Sequence, residues 1–192
     1  MTDAGGVPGL RYVAGWLDAE AERQLLALID AAEWSGELRR RVQHYGRRYD
    51  YGVRSVGRTG EASAPPIPEW AAALATRLDE EGWLDGRADQ VIVNEYQPGQ
   101  GISAHIDCVP CFGPRVAAVS LGSACTMDFI GPERDVRVPV QLAPRSLCVM
   151  TGAARYTWRH AIAARKSDPT PEGRVPRGRR VSVTFRTLST GA

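Results

Sequence analysis

His105, Ile106 and Asp107 put an imidazole and a carboxylate two positions apart. In an extended strand such residues project from one face, so both groups can reach one metal ion without distorting the backbone. The chain has three histidines, His44, His105 and His160, so a set of two imidazoles and one acid has few candidates for its third member. His44 lies among arginines, whereas His160 follows an aromatic, strand-like run, Arg155-Tyr156-Thr157-Trp158, that a sandwich can bring alongside the first strand. Two imidazoles and one carboxylate on one ion make a facial triad that leaves coordination positions open. For the His-x-Asp pair alone, an ordinary hydrogen-bonded couple at a strand end is the alternative.

Residues 180–186 carry a second chemistry. Period two sends Arg180, Ser182, Thr184 and Arg186 to one side of a strand and Val181, Val183 and Phe185 to the other. Two arginines directed into a sandwich interior are costly unless they meet anions. A dicarboxylate such as 2-oxoglutarate supplies two, each suited to bidentate pairing. An edge strand with a solvated polar face is the competing reading. Asn94 and Tyr96 share a face just before the turn at 98–101, where they can donate to a ligand carboxylate or satisfy the turn's own backbone.

Helices and short strands must position these groups. Asp18 precedes 19–32, where Leu25, Leu26, Leu28 and Ile29 recur at helical spacing, so a capped amphipathic helix is expected there. A second helix is expected from Pro68 to about Glu81, with Trp70, Leu74 and Leu78 on one face and Gly82 ending it. The arginine and tyrosine segment between them reads as a hairpin or loop. From Gln90 onward the texture changes to short β-rich runs at 91–96, 103–106, 116–121, 125–130, 136–142, 146–150, 155–162 and 180–187. Strands at this spacing predict an antiparallel sandwich or jelly roll with the helices covering one sheet, a mainly β fold with flanking helices. The segment 164–178, rich in Pro, Gly and Arg, reads as a surface loop. A single domain over 1–192 is expected, with 1–89 as helical support and nucleotide-recognition segment and 90–192 as the catalytic core.

The net charge of +2 does not by itself announce a nucleic-acid protein, but the charge is unevenly spread. Seven arginines lie between Arg39 and Arg58 against the single Asp50, and Tyr45, Tyr49 and Tyr51 are interleaved with them. That pattern offers phosphate contacts and stacking faces together, although arginine clusters are also commonly solvated surface. No stretch approaches the roughly 18 apolar residues of a membrane span, and a cytoplasmic protein is expected. Four cysteines are too few for a disulfide scaffold, and Cys125 and Cys148 sit in apolar runs where buried thiols are expected.

In this setting NEYQPGQGISAHID (94–107) resembles the Asn-x-Tyr-x-x-Gly then His-x-Asp pattern of AlkB-like dioxygenases. RVSVTFR (180–186) is similar to that family's terminal Arg-x-(Asn/Ser)-x-Thr-x-Arg strand, and VMTGAARYTWRHAI (149–162) to the segment bearing its distal metal histidine. RRVQHYGRRYDYG (40–52) resembles its nucleotide-recognition segment. With SLGSACTMDF (120–129) and a serine at 182, the pattern is most like the oxygenase domain of the family's eukaryotic tRNA-hydroxylating branch. That branch also carries RNA-binding and methyltransferase modules, for which 192 residues leave no room, so a free-standing protein is expected.

The resemblance implies a double-stranded β-helix. It implies Fe(II) at His105, Asp107 and His160, 2-oxoglutarate at Asn94, Tyr96, Arg180, Ser182 and Arg186, and O2 as co-substrate. It implies as substrate a modified base in single-stranded DNA or RNA, tRNA included, met by Arg41, Tyr45, Arg47, Arg48, Tyr49, Tyr51 and Arg155 of a monomer. One departure is Cys108-Val109-Pro110-Cys111, where DNA-repair members place a second acid that reads the damaged base. The alternatives are an oxygenase acting on a protein or small molecule, and a zinc-stabilised nucleic-acid-binding module that uses the Cys-x-x-Cys pair.

Overall fold

The computed structural model describes residues 3–36, 39–47, 49–50, 55–56, 64–133, 136–171 and 173–189. Two helices cover a six-stranded sheet, which faces a four-stranded sheet across a second core. In chain order the elements are β1 (Leu10–Val13), α1 (Ala19–Ala31), β2 (Val42–Gly46), β3 (Tyr49–Asp50), β4 (Ser55–Val56), α2 (Glu69–Glu80), β5 (Gln90–Tyr96), β6 (Ile102–His105), β7 (Phe112–Gly122), β8 (Cys125–Ile130), β9 (Arg137–Leu142), β10 (Ser146–Met150), α3 (Gly152–Tyr156), β11 (Arg159–Ile162), β12 (Ser167–Thr170), β13 (Gly173–Pro176) and β14 (Arg180–Leu188). The large sheet runs β1-β10-β7-β14-β5-β2 and the small one β6-β11-β8-β9, with antiparallel pairing throughout. This is the expected jelly roll.

Both expected helices form. The Asp18 side chain accepts from the Ala21 amide at 2.8 Å and caps α1, and Gly82 takes the left-handed conformation just past α2. Leu25 and Ile29 of α1 and Leu74 and Leu78 of α2 pack on Val91, Val93, Val119, Val181, Val183 and Phe185 of the large sheet. Each such side chain contributes roughly 1.5–3 kcal/mol by leaving water. The opposite face of the same strands, with Tyr96, Val116, Cys148 and Met150, packs on Cys125, Phe129, Leu142 and Ile162 of the small sheet.

Three expectations are corrected. Residues 10–13 and 42–46 are strands that form the two edges of the large sheet, so the segment before residue 90 builds the sandwich as well as supporting it. The run 155–162 is not one strand. Gly152–Tyr156 forms α3, the amides of Thr157 and Trp158 both bond to the Ala153 carbonyl, and only Arg159–Ile162 is extended. Within 164–178, β12 and β13 make a hairpin whose buried Asp168 accepts from Arg177 at 2.6 and 2.8 Å and from Arg165 at 2.6 and 2.9 Å. Cys125 and Cys148 are buried free thiols as expected, and Cys108 and Cys111, for which the sequence left a redox or metal role open, form a disulfide. Among the described residues no helix is long and apolar enough to cross a membrane.

Candidate active site

β6 ends at His105 and β11 carries His160, and the two are register partners. Their rings lie 4.3 Å apart between centroids. Asp107 follows β6, and the donor atoms of His105, Asp107 and His160 all lie within 4.8 Å of one another. The His105 Nδ1 sits 2.8 Å from the Ser103 carbonyl. A carbonyl only accepts, so Nδ1 donates to it and Nε2 is the nitrogen turned toward Asp107, 3.6 Å from Oδ1. Burial lowers the His160 pKa to about 4, against the opposing charge of Asp107, so this imidazole is neutral at ordinary pH. Burial pushes the Asp107 carboxyl up, but the Arg186 charge beside it outweighs this and holds the group well below the usual range. One carboxylate and two imidazoles form a donor set suited to a divalent transition metal.

The central strand β14 supplies the second half of the site. It lies between β7 and β5, which settles the edge-strand alternative against itself. Arg180, Ser182 and Arg186 line one cavity of about 60 Å³ together with Asn94, Tyr96 and the three metal-ligand candidates. Arg180 is 2% exposed and donates from Nη2 to Ser120 Oγ at 2.9 Å, while its buried Nε and Nη1 have no hydrogen-bond partner among the described residues. A buried cation with two unsatisfied donors costs stability unless an anion meets it. A carboxylate of 2-oxoglutarate fits that demand. Arg186 donates from Nε to Asp107 Oδ2 at 3.1 Å, which links the arginine strand to the metal cluster. Burial pushes the Tyr96 phenol up, so it stays protonated and able to donate.

The residues expected at the substrate separate. Arg155 is 1% exposed, and its guanidinium donates to the carbonyls of Asp107, Cys108, Phe112 and Gly113 at 3.0–3.3 Å. It therefore holds the loop after the metal aspartate from within, and its expected substrate contact is corrected. Tyr45 is also buried. It meets Trp70 edge-on at 6.3 Å and donates to Gln43 Oε1 at 3.2 Å on the helix side of the sheet, so it offers no stacking face. Arg41 is tied to Glu95 by bonds of 2.6 and 2.8 Å and lies over Trp34. Arg47 stands at the end of β2, partly exposed. Arg48 and Tyr51 lie outside the described residues, and of Tyr49 the backbone alone is described, as part of β3. The disulfide occupies both thiols of the Cys-x-x-Cys pair, which removes the thiolate ligands a structural zinc site needs.

Three residues at the site were missed by sequence reasoning. Arg40 donates to Asn94 Oδ1 at 2.9 Å and lies 5.7 Å over the Tyr96 ring. Ser120 accepts from Arg180, and Gln90 accepts from Arg186 Nη1 at 2.8 Å. Gln90 shares the period-two face of Asn94 and Tyr96, a signal present in the sequence.

The fold and this cluster define an oxygenase of the iron(II) and 2-oxoglutarate type, and the sequence profile described as the 2OG-Fe(II) oxygenase superfamily matches residues 9–186. The chain belongs to that family, as an AlkB-like member, and its cofactors are Fe(II), 2-oxoglutarate and O2. It is 38% identical over 168 residues to the mouse tRNA (carboxymethyluridine(34)-5-O)-methyltransferase ALKBH8, a match spanning 84% of this chain and 25% of that protein. The Alkylated DNA repair protein ALKBH8 homolog of Arabidopsis thaliana is 33% identical over 94% of this chain and 58% of its own length. The chain thus corresponds to part of each relative. The solved structure of OsALKBH1 superposes with a TM-score of 0.70 at 19% identity, covering 94% of this chain and 97% of that one, which shows a shared fold.

Proposed function

We propose that this dioxygenase oxidises an alkylated or otherwise modified base in nucleic acid, with iron held by His105, Asp107 and His160 and 2-oxoglutarate held by Arg180, Arg186, Asn94, Tyr96 and Ser182. The observation that carries the assignment is that the three metal-ligand candidates line one cavity with Arg180, whose buried Nε and Nη1 have no hydrogen-bond partner among the described residues. A diacid anchored at Arg180 then lies within the same enclosure as the metal. When bound, iron with 2-oxoglutarate and O2 supplies oxidation of a C–H bond, 2-oxoglutarate being converted to succinate and CO2. The protein's part is to orient both partners and exclude water. Hydroxylation of an N-methyl group gives a carbinolamine that releases formaldehyde and the free base. On a carbon not bonded to nitrogen or oxygen, the product is a stable alcohol.

The nucleic-acid reading is supported by the names of the relatives, which specify a tRNA methyltransferase and an alkylated DNA repair protein. It is supported also by the arginines around 39–47, of which Arg40 reaches the co-substrate pocket. A base must leave its stack to reach a metal so enclosed. The reading includes a cytoplasmic monomer, testable by sedimentation and fractionation. Succinate and formaldehyde release over a panel of methylated and wobble-modified DNA and RNA oligonucleotides tests the substrate. Stimulation by one modified oligonucleotide, with binding that weakens steeply as salt rises, is the expected result. Absence of any binding at low salt overturns the nucleic-acid assignment and leaves a protein or small-molecule substrate.

A further inference from the structure

Gln90 opens β5 and is fully buried. Its register partners are Arg186 on β14 and Gly46 on β2. Its Oε1 accepts from Arg186 Nη1 at 2.8 Å, and its Nε2 donates to the Arg47 carbonyl at 2.8 Å. This orientation of the amide is forced by its neighbours, because a guanidinium only donates and a carbonyl only accepts. The Arg47 carbonyl is itself fixed. Gly46 turns the chain at φ +77°, where an added Cβ would strike the Asp89 carbonyl, and the amides of Gly46 and Arg47 bond to Pro65 and Asp89 at 2.8 and 3.0 Å.

Arg186 is consequently held at two of its three nitrogens, Nη1 by Gln90 and Nε by Asp107 Oδ2 at 3.1 Å. Two bonds to a rigid planar group fix its plane. Nη2 keeps no hydrogen-bond partner among the described residues, and the side chain lines the cavity. We propose that Gln90 is a positioning residue for metal and co-substrate: by holding Nη1 it limits Arg186 to a single bond with Asp107 and presents Nη2 to a carboxylate of 2-oxoglutarate. Without it, the guanidinium is free to turn onto Asp107 in the two-pronged pairing that arginine favours with carboxylates. Both oxygens of the metal ligand would then be engaged, and Nη2 would be drawn from the co-substrate onto Asp107.

The inference rests on the assignment of Asp107 as a metal ligand, and its test keeps the two apart. 2-Oxoglutarate is titrated calorimetrically into Mn(II)-loaded wild type, Gln90→Leu, Gln90→Glu, Arg186→Leu and the Gln90→Leu/Arg186→Leu double variant. Gln90→Leu is expected to weaken binding by about 10-fold or more, the scale of one hydrogen bond to a charged group. Gln90→Glu, which keeps the acceptor for Arg186, stays closer to wild type. In the Arg186→Leu background, loss of Gln90 has no further effect, because its action passes through Arg186. Wild-type affinity in Gln90→Leu, or losses that add in the double variant, overturns the positioning role. A merely structural role predicts equal losses in Gln90→Leu and Gln90→Glu, which also overturns it. Failure of wild type to bind 2-oxoglutarate in a Mn(II)-dependent way would instead strike the metal assignment itself.

Discussion

His105 and His160 face one another as register partners across β6 and β11, so a single strand pairing brings together the two imidazoles of the candidate metal site. Each contributes one donor, and neither can be replaced by His44, which lies on the opposite edge strand of the other sheet. Either His105→Ala or His160→Ala is expected to lower metal affinity by more than the ~10- to 100-fold that loss of a supporting outer partner costs. Mn(II) titration and the iron content of purified protein check this. Stoichiometric iron retained by either variant would sink the triad.

Arg180 presents the sharpest conflict between stability and function. Its Nε and Nη1 are buried and have no hydrogen-bond partner among the described residues, so the side chain is costly until an anion arrives. Arg180→Met is expected to abolish 2-oxoglutarate binding while leaving the ligand-free melting temperature unchanged or higher. Wild type should gain about 2.7 kcal/mol at a co-substrate concentration 100 times Kd, and the variant nothing. Thermal unfolding with and without 2-oxoglutarate separates the two. A variant that still responds to 2-oxoglutarate would show that the anion binds elsewhere.

Much of this site was legible because its signals are local. The alternation in 180–186 fixes which side chains share a face, and the helical spacing of Leu25 and Ile29 fixes what covers the other face. What period two could not reveal is which strands neighbour β14. β1 and β2 were missed because their pairing with β10 and β5 is long-range, and nothing in 10–13 or 42–46 states a partner. In 152–156, the demand of four carbonyls for the Arg155 guanidinium lies outside the segment, so its strand-like composition misled. The same blindness put Tyr45 at the substrate. The face alternation of β2, which turns Gln43 and Tyr45 toward the helices, would have excluded it had 42–46 been read as a strand.

Arg155 is expected to act on metal binding through the loop it holds. Arg155→Met removes the guanidinium from the carbonyls of Asp107, Cys108, Phe112 and Gly113, at a stability cost of about 3 kcal/mol or more. It should also weaken metal binding about 10-fold by loosening Asp107. Arg155→Lys keeps the charge but not the planar fork and should recover only part of the loss. Chemical denaturation together with Mn(II) titration measures both effects. A variant that lost oligonucleotide affinity with stability and metal binding intact would return Arg155 to the substrate.

Glu95 lies on the opposite face of β5, with its side chain 3% exposed, and accepts from Arg41 and from Arg179, each through Nε at 2.6 Å. Arg179 also pairs with Asp30 of α1, so this carboxylate joins β2, β5 and the chain entering β14 to the helix layer. The Arg41 hydrogen bond, opposed by burial and aided by Arg179, lowers its pKa to about 2. The folded pKa is depressed, so the folded state binds this proton less readily than the unfolded chain. The stabilisation is complete above the ordinary glutamate pKa and is lost as pH falls from there toward 2. Its size is on the order of 2–3 kcal/mol, allowing for the solvent access of the arginines. Glu95→Gln imitates the protonated acid, so it should be less stable than wild type by that amount at pH 7. The difference should narrow progressively below about pH 4.5, the range in which wild-type Glu95 itself takes up the proton. Urea denaturation of both proteins from pH 7 to pH 3 gives the comparison. A stability gap that stayed constant over that interval would mean that the Gln substitution acts through packing, with the carboxylate's charge contributing nothing to the junction between sheet and helix.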